Sequence, residues 1–308
     1  MIPRDTESTT LRLSGKPVAL TNLRKVFWPE LGVTKGDLLQ YYADVAPHLI
    51  PHLKARAMVM KRYPNGIDAP FFYMKRTPSN KPEWLKTCAI EHGSGSIIDF
   101  PVVEDVASLL WVVNLGCVDL NEWYSRCDDI DRPDYLHFDL DPVEGTGFAT
   151  VRDVALCVRD ALVDLGMTPY AKTSGSSGIH VYVAIARGPL QKEVWRFAKA
   201  LAQTLERLHP KIVTAEYRIA KRPAGRVLVD YNQNAWGKTL ASVYSVRPRP
   251  RASVSTPVTW AEIEAGVETE DFRIDNVRER LARVGDLWAP MAKRTGRFKL
   301  ETLLAGTQ

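Results

Sequence analysis

Two carboxylates at the end of one apolar segment are the residues of this sequence best suited to chemistry. Asp139 and Asp141 close the segment 134–141, and Pro142 follows them. Because residues i and i+2 of a β-strand share a face, both carboxylates point the same way. Two like charges held this close are costly unless a cation lies between them. The pair therefore indicates a divalent-metal site, and its alternative is an ordinary solvated turn.

Two further features supply what a metal-assisted phosphoryl transfer needs. The segment 173–180 is a turn of small residues whose glycines allow close backbone approach and whose hydroxyls and amides can hold phosphate oxygens. Its last residue, His180, either supports that cradle or is an ordinary core histidine. A third carboxylate, Asp230, ends the apolar segment 226–230. Three carboxylates suit two ions about 3.5–4 Å apart, and an all-oxygen ligand set favours magnesium or manganese over zinc.

The elements that must position these residues alternate between strands and helices. The carboxylates end predicted strands, His180 opens another, and amphipathic helices fill 150–165 and 191–208 between them. That alternation between residues 136 and 230 predicts an α/β core. Nearer the N-terminus, Thr34 with Asp37 predicts the start of a helix. Pro47 and Pro51 are expected to end it.

Composition places the chain among ordinary soluble proteins. Hydrophobic residues make up 45% and charged residues 25%, and no apolar run approaches the roughly 18 residues of a membrane span. Charged residues near the N-terminus argue against a signal peptide, so we expect a cytoplasmic protein without a membrane partner. The four cysteines form no Cys-x-x-Cys pair, which predicts reduced thiols rather than a zinc site or disulfides. Basic segments at 221–226 and 247–251 suit phosphate contacts, or else form a solvated surface.

The three motifs, in this order, resemble those of the archaeo-eukaryotic primase superfamily. They are Asp-Leu-Asp-Pro at 139–142, Ser-Gly-Ser-Ser-Gly-Ile-His at 174–180 and Val-Asp-Tyr-Asn-Gln-Asn at 229–234, with matching flanks at 61–66 and 244–247. The closer resemblance is to the polymerase domain of the bacterial end-joining DNA ligase D. It implies a primase-polymerase that adds NTPs or dNTPs to a primer 3′-hydroxyl on a template. Such an enzyme fills short gaps or ends in DNA, in end joining or in excision repair.

The resemblance also implies a fold and a domain plan. We expect a mixed α/β (α+β) primase-polymerase fold, in which an RRM-like catalytic sheet packs on an N-terminal α/β module. A single domain would fill residues 1–308, with the module at 1–130, the catalytic core at 131–255 and a helical segment at 256–308. The chain would act as a monomer at the nucleoid, either free-standing or as a piece of a longer protein.

Residue roles follow from the resemblance at matching positions. Asp139, Asp141 and Asp230 correspond to the family's catalytic metal ligands, which work with Mg²⁺ or Mn²⁺. The incoming nucleotide is expected at Lys61, Arg62, Phe72, Ser174, Gly175, Ser177, Gly178, His180, Lys238 and Arg247. DNA is expected at Lys25 and Lys35, which would hold the 5′-phosphate of a gap, and at Phe71, Lys221 and Arg222. Phe71 and Phe72 match aromatics that stack on the nucleotide or the template base, and simple packing between strands is the alternative for Phe71.

Two positions depart from the family pattern, and two other classes of function stay open. The family often has Lys where Ser177 stands and His near Asn121, which puts one phosphate contact and one nucleotide contact in doubt. A non-catalytic DNA-end-binding module would not need three carboxylates. An Asp-x-Asp glycosyltransferase would leave Asp230 unexplained. If the polymerase interpretation is correct, Ku and a DNA ligase are expected partners.

Overall fold

The structure, a computed structural model, describes residues 2–293 and 295–304. The strands are β1 Ser8–Leu13, β2 Lys16–Thr21, β3 Val26–Trp28, β4 Val33–Thr34, β5 Met58–Arg62, β6 Phe72–Met74, β7 Thr87–Glu91, β8 Ile97–Pro101, β9 Cys117–Trp123, β10 Tyr135–Pro142, β11 Pro169–Thr173, β12 Ile179–Ala184, β13 Val213–Thr214, β14 Val227–Asp230, β15 Thr239–Ala241 and β16 Pro257–Val258. The α-helices are α1 Lys35–Leu53, α2 Val106–Asn114, α3 Phe148–Asp164, α4 Gln191–Leu208, α5 Trp260–Glu264, α6 Val277–Val284, α7 Ala289–Ala292 and α8 Glu301–Leu304. Short 3-10 helices occupy Pro29–Leu31, Ile219–Lys221, Tyr231–Asn234 and Thr269–Asp271.

The chain forms two compact units from discontinuous segments. The first unit comprises the described residues up to Trp123 with Leu240–Ser255 and Phe272–Asp286. The second comprises Tyr124–Thr239, Thr256–Asp271 and the described residues from Leu287 onwards. The linear division at residues 130 and 255 stays a prediction.

The main sheet of the second unit has the topology of an RRM. Along the chain the elements run β10, α3, β11, β12, α4 and β14. In the sheet, β14, β10, β12 and β11 lie side by side and antiparallel, with β13 and β16 added at the edges. This arrangement of four strands and two helices confirms the expected mixed α/β fold with an RRM-like sheet. Strand β11 was not anticipated from the sequence.

The two faces of this sheet differ in chemistry. On β10, buried Leu136, Phe138 and Leu140 alternate with Asp139 and Asp141. Helices α3 and α4 contact the sheet, and each carries a buried apolar stripe. Burial of that stripe requires an apolar partner, which leaves the opposite face of β10 to polar side chains.

In the first unit, α1 begins where the sequence predicts and ends later. The Thr34 side chain accepts a hydrogen bond from the Asp37 amide, and Asp37 completes the capping box. The expected end at the prolines is wrong, because α1 runs on to Leu53 with Pro47 and Pro51 inside it. Each proline removes one helical hydrogen bond, and the buried apolar side of α1 outweighs that cost.

Strand β5 is central to the sheet of the first unit. It pairs antiparallel with β6 and with β9, and a β-bulge in the β5–β9 pairing lies between Lys61 and Arg62. The prediction of reduced thiols holds for Cys117 and Cys157. It is wrong for Cys88 and for Cys127, each of which is disulfide-bonded. The spacing of cysteines can indicate a zinc motif, but it does not tell which thiols will oxidise. Within residues 2–293 and 295–304, every helix is too short or too polar to cross a membrane.

Candidate active site

Four polar residues form one row across the sheet of the second unit, which we name the catalytic row. The strand registers place Asp230 opposite Asp139, Asp139 opposite His180, and His180 opposite Lys172. Residues directly opposed in antiparallel strands share a face, so the whole row faces one side, as does Asp141 two positions along β10. The register thus brings the three predicted carboxylates to one face of the sheet.

Close polar contacts link three members of the catalytic row. His180 Nε2 lies 3.1 Å from Asp139 Oδ1, and His180 Nδ1 lies 2.8 Å from Lys172 Nζ. All three side chains are buried, Lys172 most of all at 1% exposure. His180 therefore contacts a predicted metal ligand, and Lys172 is a member of the site that the sequence did not reveal.

Asp230 is a buried carboxylate with its own support. It accepts hydrogen bonds from the Asn232 amide at 2.8 Å and from Gln233 Nε2 at 3.0 Å. Burial and then the charge of Asp139 raise the pKa of Asp230, and Arg222 acts in the opposite direction. A bound cation would relieve the repulsion between the two carboxylates.

The donor set fits a hard divalent cation. Asp139, Asp141 and Asp230 offer only carboxylate oxygens, the ligands that magnesium and manganese prefer. Among the residues that the structure describes, no group of three or more His, Cys, Asp or Glu side chains forms a metal-holding set by itself. Magnesium is commonly held by one or two carboxylates, with waters and substrate phosphates as the other ligands. A partial set of protein ligands therefore suits a site that a nucleotide completes.

The turn between β11 and β12 is shaped by its own side chains. Ser174 Oγ accepts hydrogen bonds from the amides of Ser176 at 3.1 Å and Gly178 at 3.0 Å. Gly175 has φ of 67°, in the left-handed region. A Cβ at Gly178 would lie 2.3 Å from the Leu140 carbonyl oxygen, so only glycine fits beside β10. The motif thus sets the backbone of the turn, and phosphate binding by it stays a prediction.

The remaining predicted residues of the second unit lie outside its main sheet. Ser177 is exposed at the tip of the turn, and Lys238 is exposed beyond the 3-10 helix that follows Asp230. Lys221 ends another 3-10 helix, and Arg222 donates from Nε to the Glu216 carbonyl at 3.1 Å. Their contacts with nucleotide or DNA stay predictions.

In the first unit the predicted cations and aromatics separate into two groups. Lys61 Nζ lies 4.4 Å from the centre of the Phe71 ring, whereas the Arg62 guanidinium lies 5.1 Å from that of Phe72. Lys61 and Arg62 are neighbours in β5, and successive side chains of a strand point to opposite faces, which explains the separation. The two neighbours, predicted to contact the same nucleotide, therefore have different surroundings.

The first group gathers around a buried carboxylate that the sequence did not reveal. Arg247 Nε lies 3.2 Å from Asp119 Oδ2. Burial lowers the pKa of Lys61, and the charge of Asp119 opposes that shift. Asn121, which stands where the family often has His, donates from Nδ2 to the Asp119 carbonyl at 3.0 Å. Lys61 and Arg247, both predicted nucleotide contacts, thus share Asp119 as their counter-charge.

The second group forms a pocket of about 260 Å³ that we name the cationic pocket, lined by Lys25, Lys35 and Arg62 among other residues. Lys35 Nζ donates to the Thr21 carbonyl and Lys25 Nζ to Asn65 Oδ1, both at 2.6 Å. Burial, and then the charges of Lys25 and Arg62, lower the pKa of Lys35 to about 8. Three clustered cations suit a phosphate group.

Comparison with known proteins decides the family. Residues 34–288 match the family described as LigD, primase-polymerase domain. The chain belongs to this family. It is therefore a primase-polymerase domain, a metal-dependent, DNA-directed nucleotidyltransferase. This result confirms the predicted enzyme class and does not favour the end-binding module or the glycosyltransferase.

Several curated LigD proteins are similar to this chain. The multifunctional non-homologous end joining protein LigD of Mycobacterium bovis is 35% identical over 300 residues, which cover 93% of this chain and 39% of that protein. That of Mycolicibacterium smegmatis is 36% identical, covering 89% of this chain and 36% of that protein. The bifunctional LigD of Bacillus subtilis is 30% identical, covering 86% and 42%. The chain spans about two-fifths of the length of these relatives.

A solved structure extends the comparison to the fold. The polymerase domain from Mycobacterium tuberculosis Ligase D in complex with DNA matches with a TM-score of 0.84 at 34% identity. The match covers 89% of this chain and 98% of that one. It therefore confirms the primase-polymerase fold for nearly the whole chain.

Proposed function

We propose that this domain extends a DNA primer at a gap or a broken end by template-directed addition of NTPs or dNTPs. The observation that carries the proposal is the register that sets Asp139 opposite Asp230, with Asp141 on the same face. In the reaction, the primer 3′-oxygen forms a bond to the α-phosphorus as the bond to the pyrophosphate oxygen breaks. The three carboxylates would be the groups nearest that exchange.

The carboxylates would hold Mg²⁺ or Mn²⁺ in a two-metal site. When bound, the ions neutralise triphosphate charge, favour the deprotonated 3′-oxygen and stabilise the leaving oxygen. His180 orients Asp139 through its Nε2, as the 3.1 Å contact indicates. The turn at 174–178 and Lys238 would receive the triphosphate. Lys61 and Arg247, balanced by Asp119, would provide further contacts to the nucleotide.

The cationic pocket would bind the 5′-phosphate on the downstream side of a gap. Lys25 and Lys35 were assigned this role by resemblance, and the pocket supports adding Arg62 to them. Phe71 and Phe72 are 49% and 45% exposed, as side chains that stack on bases must be. Lys221 and Arg222 would contact the template.

DNA repair is the proposed setting. The relatives named above are non-homologous end joining proteins, and the structural neighbour is a polymerase domain bound to DNA. Broken ends and excision gaps both offer a 5′-phosphate, so the same pocket serves end joining and excision repair. A DNA ligase would seal the product, with Ku as a partner at broken ends.

Primer extension tests the proposal. The chain is incubated with Mn²⁺ or Mg²⁺, each NTP and dNTP, and a one-nucleotide gapped duplex that carries a labelled primer and a 5′-phosphate. We expect extension by the native chain and none by the Asp139→Ala/Asp141→Ala variant, with DNA affinity retained in fluorescence anisotropy. The control is Asp153→Ala/Asp164→Ala, which removes two exposed carboxylates from α3. Absence of extension with every metal and nucleotide would refute the proposal.

A further inference from the structure

Lys172 is a buried lysine at the inner end of the catalytic row. Its side chain is 1% exposed, and its backbone lies opposite His180 in the β11–β12 pairing. A buried ammonium group is costly unless polar or charged partners compensate it. Besides His180, the Lys172 ammonium faces the rings of Tyr182 and Trp288, with ring centres 6.0 and 5.9 Å away. Aromatic faces attract cations, so they offset part of this cost.

The chemistry of the donors fixes the direction of the hydrogen bonds. A lysine ammonium has donors and no acceptor, so Lys172 Nζ donates to His180 Nδ1 across their 2.8 Å contact. Nδ1 is then an acceptor, and the ring proton sits on Nε2. Nε2 lies 3.1 Å from Asp139 Oδ1, so the protonated side of the ring faces that oxygen across a short polar contact. One hydrogen bond from lysine to histidine and one short polar contact from histidine to aspartate thus connect Lys172 with Asp139.

We propose that Lys172 is a positioning residue of the active site, which holds His180 as the Nε2–H tautomer and through it fixes the orientation of the Asp139 carboxylate. This role rests on the proposed function, in which Asp139 is a metal ligand. A carboxylate whose Oδ1 faces a fixed imidazole N–H at 3.1 Å is restricted in its orientation before a cation arrives. Substitution of a residue that hydrogen-bonds to a metal ligand and orients it typically reduces metal affinity or activity by about 10–100-fold.

The tautomer of His180 gives a readout that a packing role would not change. The chain has six histidines, so ¹⁵N-labelled imidazole signals can be assigned by substitution. We expect the Nε2–H tautomer for His180 in the native chain and in Lys172→Arg, because arginine is also a donor without an acceptor. In Lys172→Met, which keeps the apolar stem and removes the donor, only the contact with Asp139 still favours Nε2–H, so we expect the fraction of the Nδ1–H tautomer to rise.

The second readout is Mn²⁺ affinity without nucleotide or DNA, measured by paramagnetic resonance of the free ion. We expect the dissociation constant to rise at least about 10-fold in Lys172→Met. The control Lys192→Met removes an exposed lysine charge from α4 and is expected to leave it unchanged. If Lys172→Met does not fold, Lys172→Gln replaces it, since an amide can also accept and leaves both tautomers populated.

The outcomes separate this role from the proposed function. The role of Lys172 is overturned if a variant without its ammonium shows no rise in the Nδ1–H tautomer of His180, or shows that rise with unchanged Mn²⁺ affinity. If instead Asp139→Ala/Asp141→Ala binds Mn²⁺ as tightly as the native chain does, the metal site itself is misassigned. Primer extension by the native chain then reports on the proposed function alone.

Discussion

The catalytic row and the cationic pocket present opposite charges and are built from different parts of the fold. The row places carboxylates on neighbouring strands, where the hydrogen-bonded register fixes which residues are opposed. The pocket collects Lys25 from the residue before β3, Lys35 from the start of α1 and Arg62 from the end of β5. Metal ligation needs ligands fixed to fractions of an ångström, which a sheet provides. A terminal phosphate needs only converging cations.

At both sites the pKa of one group is shifted in the direction that favours its neutral form. Burial and Asp139 raise the pKa of Asp230, while burial and the neighbouring cations lower that of Lys35 to about 8. Each shift has the sign expected of a buried group that lies beside like charges. A metal would restore the ionised form at the first site, and a phosphate would do so at the second.

The largest expected effect is on catalysis and comes from a substitution in the catalytic row. It should impair the chemical step and leave DNA binding, the role proposed for the cationic pocket, unchanged. Asp230→Asn keeps the shape of the side chain and removes the charge, so we expect kcat to fall at least about 100-fold, beyond the usual effect of a supporting residue. DNA affinity and the preference for a 5′-phosphate should not change. Single-turnover extension with anisotropy measures all three, and a loss of kcat below about 3-fold would contradict a role in the chemistry.

The next effect probes the rigidity of the catalytic sheet. In Gly178→Ala the new methyl group meets the Leu140 carbonyl oxygen, which is backbone and cannot move aside. We expect a loss of about 1–3 kcal/mol in the free energy of unfolding, as for overpacked sites, together with lower kcat. Urea unfolding measures the first quantity. Gly93→Ala is the control, because its Cβ meets nothing within 4 Å. Equal effects of the two substitutions would show that the close approach is unimportant.

Substitution of Lys25 and Lys35 in the cationic pocket should weaken DNA binding and leave nucleotide binding nearly unchanged. Lys25→Ala/Lys35→Ala is expected to reduce the affinity advantage of a 5′-phosphorylated gap by about 10-fold or more, since charge-assisted hydrogen bonds contribute about 1.5–3 kcal/mol each. The KM for nucleotide should stay within about 2-fold. The measurement compares anisotropy with and without the 5′-phosphate. A change confined to nucleotide KM would show that the pocket is misassigned.

A smaller effect distinguishes the two adjacent cations of β5. We expect Arg62→Gln to weaken the preference for a 5′-phosphate about 3- to 10-fold, because Arg62 lines the pocket. Lys61→Gln should instead raise the KM for nucleotide. The same pair of assays applied to both variants tests the division between the two faces of β5. That division is contradicted if both substitutions act on the same parameter.

The smallest expected effect is a pH dependence of the cationic pocket. With a pKa of about 8, Lys35 is mostly charged at pH 7 and mostly neutral at pH 9, while the 5′-phosphate is a dianion throughout. The affinity advantage of the 5′-phosphate should therefore fall a few-fold between pH 7 and 9. Arginine stays charged, so Lys35→Arg should flatten the profile. A flat profile in the native chain would show that Lys35 does not bind the phosphate in its charged form.

Sequence patterns predicted those features that depend on the spacing of side chains within a single helix or strand. The apolar stripe of α4 gave its limits of Gln191–Leu208 to the residue, and the i, i+2 spacing put Asp139 and Asp141 on one face. The opposition of Asp139 and Asp230 needs the strand order, which local pattern does not contain. Lys172 was missed because a lysine in a short strand gives no sign of burial. The separation of Lys61 from Arg62 follows from strand alternation once β5 is known to extend through both residues.

A crystal structure with Mn²⁺, a non-hydrolysable nucleotide and a gapped 5′-phosphorylated duplex tests the central claim most directly. Anomalous scattering locates manganese independently of the coordinates of the protein. We expect manganese peaks bonded to carboxylate oxygens of Asp139, Asp141 and Asp230 and to the triphosphate. Manganese bound to the nucleotide but to none of these three carboxylates would contradict the proposed catalytic site.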